Sequence, residues 1–88
     1  MKIKENYVLR QIADTWAVLP LGAATLSFNG MMTLNETGRL LWSKLEDGCE
    51  ANDLVKALLD EYEVSPEQAN QDVDEFLAKL KSVDCIEM

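Results

Sequence analysis

Two cysteines, one acidic triplet and no histidine make up the chemistry-bearing inventory of this chain. Cys49 and Cys85 are 36 residues apart with no CxxC, and two thiolates alone fall short of the four S or N ligands a structural zinc site takes. They read as unpaired thiols in a reducing compartment; a disulfide would suit a secreted protein. Cys49 also sits among Glu46, Asp47 and Glu50, whose charges oppose a thiolate nucleophile. Asp72, Asp74 and Glu75 could be imagined as an acid/base set. Residues two apart on a helix point in different directions, however, so Asp72 and Asp74 cannot converge on one bond. The commonest general base is missing, and no GxGxxG, phosphate loop or GxSxG occurs. The sequence therefore points away from an enzyme, and no cofactor or metal is expected.

Charge narrows the partners. Eight Lys and Arg stand against 16 Asp and Glu, a net charge of -8. Affinity for nucleic acid comes mainly from neutralising phosphates, so no nucleic-acid partner is expected. A peptide or protein partner of basic or mixed charge fits better. The 88 residues, 48% hydrophobic and 27% charged, suffice for a single domain spanning residues 1–88 with a modest core. No apolar run approaches the roughly 20 residues of a membrane span. Met1-Lys2-Ile3-Lys4-Glu5-Asn6 lacks the apolar centre of a secretory signal. A cytoplasmic, membrane-free protein is the expectation.

Strands come first along the chain. Tyr7-Val8-Leu9-Arg10-Gln11-Ile12 and Thr15-Trp16-Ala17-Val18-Leu19 are rich in β-branched and aromatic residues around a tight turn at Ala13-Asp14. Pro20 and Gly22 interrupt the second strand. Asn29-Gly30, between Thr25-Leu26-Ser27-Phe28 and Met31-Met32-Thr33-Leu34, is a strong hairpin signal. A bent antiparallel meander is predicted. The period then changes. Leu40, Leu41 and Leu45 share a helical face, with Asn35 as N-cap and Gly48 as stop, or with Thr33 and Glu36 as a capping box. A second helix is predicted at about 52–62, with Leu54, Val55, Leu58, Leu59 and Tyr62 on one side. The third opens at Ser65-Pro66-Glu67-Gln68 and carries the stripe Ala69, Val73, Phe76, Leu77, Leu80 and Val83. The tail adds a short extended stretch. The fold class is α+β: a three-stranded antiparallel sheet followed by a three-helix bundle, arranged like a winged helix-turn-helix. Trp16 and Trp42 read as core residues. Met31 and Met32 read either as an adaptable contact surface or as core and edge of a strand.

Thr33-Leu34-Asn35-Glu36-Thr37-Gly38, followed by Leu41-Trp42 and Leu45, resembles the LNETG signature of the PqqD-like family. The segment from Asp53 to Tyr62, then Val64-Ser65-Pro66-Glu67, resembles that family's second helix and the start of its third. Asp72-Val73, Phe76-Leu77 and Leu80 resemble its last helix, and Val8-Leu9-Arg10 its opening strand. Two departures are Val83-Asp84-Cys85-Ile86 in place of a glycine-containing turn, and a longer stretch from Leu21 to Phe28. The resemblance implies a RiPP recognition element, a chaperone that binds the leader of a ribosomally made precursor peptide by strand addition. It would deliver the leader to a modifying enzyme of radical SAM type, in natural product biosynthesis. It implies contact through the edge residues Met31, Met32 and Thr33. The matching helical wall is Val73, Phe76, Leu77 and Leu80, with Asp72 and Lys79 as rim charges. A protein–protein adaptor, a DNA-binding winged helix and a homodimer stay open as alternatives.

Overall fold

The computed structural model describes residues 1–22 and 32–87. Its elements are β1 (Lys2–Ile3), β2 (Tyr7–Ile12), β3 (Thr15–Pro20), β4 (Met32–Leu34), α1 (Glu36–Asp47), α2 (Ala51–Glu61), α3 (Pro66–Ser82) and β5 (Ile86–Glu87). The expected hairpin at Asn29-Gly30, its strand at residues 25–28, and Met31 lie outside the described residues.

Strands β2, β3 and β4 form an antiparallel sheet in that order. Register runs from Tyr7 opposite Pro20 to Ile12 opposite Thr15, so Ala13 and Asp14 alone make the turn. A two-residue turn of this kind needs positive φ, and Ala13 supplies it at 56° without being glycine. Pro20, which has no N–H to donate, ends β3 beyond the stretch paired with β4, where Trp16 faces Leu34 and Val18 faces Met32. Trp16, Val18, Met32 and Leu34 thus share one face of the sheet, turned towards the helices.

The helices begin where their caps dictate. The Asn35 side chain accepts from the Gly38 N–H at 2.8 Å. Thr33 does not form the alternative capping box, because it is already committed to β4. Glu36 instead accepts from the Trp16 indole N–H and pairs with Arg39, whose guanidinium lies 5.1 Å from the Trp16 ring centroid. Gly48 at φ 87° ends α1. Ser65 accepts from the Gln68 N–H to start α3. Helix α2 opens on a reciprocal box between Glu50 and Asp53 that the sequence reading missed.

The core is built from Val18, Met32 and Leu34 of the sheet with Leu41, Trp42, Leu45, Leu54, Leu58, Val73 and Leu80 of the helices. Trp42 is fully buried and its indole N–H has no hydrogen-bond partner among the described residues. The burial of so large a ring outweighs the roughly 1–3 kcal/mol such an orphan donor costs. Leu59 and Tyr62, placed by the sequence on the buried side of α2, are each 38% exposed; Ala57 is buried instead. At the other end β1 and β5 pair antiparallel and bring the two termini together. The turn into β5 places Asp84 at φ 57° and ties it to Lys4 by a 2.9 Å ion pair.

Candidate functional site

Helix α3 carries two adjacent stripes. Positions 69, 73, 77 and 80 recur at three- and four-residue intervals and point into the core, where all four residues are buried. Positions 72, 75, 76 and 79 recur at the same intervals one step around the helix and face a cleft. Phe76 belongs to both: it is only 8% exposed, and it also lines the opening. The opposite wall comes from Thr33 and Leu34 of β4 and from the first turn of α1, where Asn35, Thr37 and Gly38 stand. Leu41 closes the floor with Leu34 and Phe76. The cleft encloses about 350 Å³.

Gly38 explains how α1 comes so close to the sheet. A Cβ built there would stand 3.2 Å from the Leu34 Cβ and 3.4 Å from the Asn35 Oδ1. Any side chain at 38 would push Leu34 or fill the cleft.

The rim is charged and mostly internally satisfied. The Gln68 side-chain amide donates to Asp72 at 2.8 Å, and that of Gln71 donates to Glu75 at 3.3 Å. The Lys79 ammonium spans the cleft and donates to the Thr33 backbone carbonyl at 3.2 Å. An apolar floor between a strand margin and a helix, bordered by two carboxylates and one ammonium, can take an extended segment with an apolar side chain. Both thiols lie elsewhere and are held protonated. Burial pushes Cys85 up to about 11, and Cys49 is raised by burial first and by Asp53 next. Among the described residues, no group of three His, Cys, Asp or Glu gathers to hold a metal ion.

Of the residues singled out from the sequence, Thr33, Asp72, Phe76 and Lys79 come together around the cleft. Met32, Val73, Leu77 and Leu80 are turned into the core, for which their apolar character and spacing suit them equally well. Met31 is outside the described residues. Leu34, Asn35, Thr37, Gly38, Leu41 and Glu75 also line the cleft and had not been assigned to it. Five of those six fall in the segment from Leu34 to Leu41, which carries the family signature, so the signal was present.

A short antiparallel sheet leading into three helices, with a cleft between β4 and the last helix, defines a winged-helix-like fold. The family described as Coenzyme PQQ synthesis protein D (PqqD) matches residues 15–86, and the chain belongs to it. Two solved structures are similar over almost the whole chain. One is TbiB1 in complex with the TbiA(beta) leader peptide, at 29% identity, TM-score 0.79, 99% of this chain and 95% of that one. The other is lasso peptide synthetase B1 complexed with the leader peptide, at 25% identity, TM-score 0.72, 92% and 89%. No curated protein matches the chain significantly. Among the described residues, no helix is long and apolar enough to cross a membrane.

Proposed function

We propose that this protein binds the leader segment of a ribosomally made precursor peptide in the cleft between β4 and α3 and presents it to a separate modifying enzyme. The observation that carries the reading is the geometry of that cleft. A strand margin and a helix wall stand either side of the apolar floor of Leu34, Leu41 and Phe76. Among the described residues no strand pairs with the outer side of β4. Support comes from the two similar structures, each of a protein holding a leader peptide.

An extended guest would continue the sheet beside β4 through main-chain hydrogen bonds, each worth a net ~1 kcal/mol and nearly indifferent to sequence. Selectivity would come from a guest side chain on the apolar floor, adding about 1.5–3 kcal/mol. Ordering a flexible leader costs about 2–5 kcal/mol, so neither contribution suffices alone and micromolar affinity is expected. The chemistry itself belongs to the partner, for which a radical SAM enzyme in the cytosol is the expectation set by the family resemblance. A DNA-binding role fits poorly. The exposed side of α2, the helix a winged domain would lay in the groove, offers Lys56 beside Asp53, Asp60 and Glu61.

The test is fluorescence anisotropy with labelled peptides. One is the N-terminal segment of any short open reading frame found beside the gene; the other is the TbiA(beta) leader. Saturable micromolar binding of the first, competed by unlabelled peptide, is the expected result. Absence of binding to either peptide by the folded protein would overturn the proposal.

A further inference from the structure

Lys79 makes an unusual choice of partner. Glu75 lies four residues before it on the same helix, the arrangement in which a Glu and a Lys pair best. Glu75 is instead engaged by Gln71, and the Lys79 ammonium reaches across the cleft to the Thr33 carbonyl, 46 residues away in sequence. A carbonyl reached from the α3 wall lies on the outer side of β4. It is the acceptor that an added strand would need for its own N–H.

We infer that Lys79 is an affinity-setting residue of the cleft, which holds the place of the guest's backbone donor and must exchange for it. This deepens the proposal of leader binding and rests on it. In the empty cleft the ammonium satisfies the Thr33 carbonyl and lies across the guest's path. As the leader enters, one of its N–H groups takes over that carbonyl, and Lys79 swings back along α3 to Glu75. The exchange conserves charge and leaves no donor or acceptor orphaned: the carbonyl keeps one bond, and the ammonium trades a neutral acceptor for a carboxylate. The cleft therefore closes on itself when empty and exposes an acceptor only to a partner that can replace the lysine. Glu75 is the positioning residue that receives the released charge.

The experiment takes whichever labelled peptide of the preceding assay wild type binds more tightly, and measures its binding to wild type, Lys79→Met, Glu75→Gln and the double variant, each first shown to be folded by circular dichroism. Methionine keeps the apolar stem and removes the ammonium. Exposed interactions of this type shift equilibria by about two- to fivefold. Lys79→Met should tighten binding by about that factor and speed association, Glu75→Gln should weaken it similarly, and the double variant should match Lys79→Met alone. Unchanged or weaker binding by Lys79→Met, or a Glu75→Gln effect that persists without the lysine, would overturn the exchange while leaving leader binding intact. No leader binding by wild type would sink the reading of the cleft, and the exchange with it.

Discussion

Phe76 and Leu80 stand one turn apart on α3 and separate the two jobs of that helix. Leu80 is fully buried and does not reach the cleft, whereas Phe76 is 8% exposed and lines it. Truncating either to alanine removes core contacts. Phe76→Ala should cost about 3–5 kcal/mol and Leu80→Ala about 2–5. Those are large fractions of the roughly 4–13 kcal/mol that 88 residues command at typical values per residue, so both variants should be visibly destabilised. Their effect on the leader should differ. Phe76→Ala also removes the wall against which a guest side chain is buried, a loss of about 1.5–3 kcal/mol, or roughly 10- to 150-fold in Kd. Leu80→Ala should bind within about twofold of wild type per folded molecule. The assay is leader titration by anisotropy at low temperature, corrected for the folded fraction from urea unfolding of each variant. Phe76→Leu, which keeps most of the volume and costs under about 1.5 kcal/mol, guards against a Phe76→Ala that does not fold. It should bind several-fold more weakly than wild type. Equal weakening by Phe76→Ala and Leu80→Ala after correction, or undiminished affinity of both Phe76 variants, would refute the division of α3 into a core stripe and a cleft stripe.

Three further outcomes follow from the geometry. Gly38→Val forces methyl groups against Leu34 and into the cleft; it should cost about 1–3 kcal/mol in urea unfolding and weaken leader binding at least about tenfold. Ala13→Gly relieves an exposed left-handed turn residue and should stabilise by about 1 kcal/mol, a rise in Tm of about 4–8 °C by calorimetry. Burial raises the Cys85 thiol from the ordinary 9.0 to about 11, so the folded chain keeps a proton that the unfolded chain releases. The associated stability is complete below pH 9 and is lost between pH 9 and 11, by about 2–3 kcal/mol. Unfolding curves of wild type and Cys85→Ala across that window should converge by that amount, since Lys4, whose ammonium is raised chiefly by its hydrogen bond to Asp84, is common to both.

Much of the scaffold was legible because its signals are local. Asn35, Ser65 and Gly48 act within one helical turn of themselves; the sequence placed the start of α3 and the end of α1 by them, and left the start of α1 open by two residues between Asn35 and Thr33. The β2–β3 hairpin likewise follows from two β-rich segments around a two-residue turn. Glu50 escaped notice because glutamate is an uncommon cap, and its box with Asp53 shows only when both halves are seen to bond. The cleft was half legible for a different reason. An apolar stripe on a helix announces burial but not what buries it, so Val73, Leu77 and Leu80 could be read as peptide wall as readily as core. Leu34 and Gly38 belong to a segment whose capping role already accounted for its pattern. The bond from Lys79 to Thr33 joins positions 46 apart, and no periodicity encodes it.

A domain that works by strand addition faces a conflict: the margin open to a guest is also open to another copy of itself. Several features of this chain bear on that conflict together. The described part of β4 is only three residues long, too short to hold a second sheet by backbone pairing alone. Its outer margin lies under a helix wall, and a lysine from that wall occupies the Thr33 carbonyl. A net charge of -8 sets copies against one another. A guest backbone gains little from β4 by itself and must also place a side chain on the floor between Leu34, Leu41 and Phe76. Another copy's edge strand could match the backbone bonds, but it would have to bring its whole domain, with the same acidic rim, into a cleft of about 350 Å³. A flexible leader carries no such bulk. On the proposed reading the cleft thus selects first by shape and charge, admitting a single extended segment, and only then by the identity of the side chain that segment inserts.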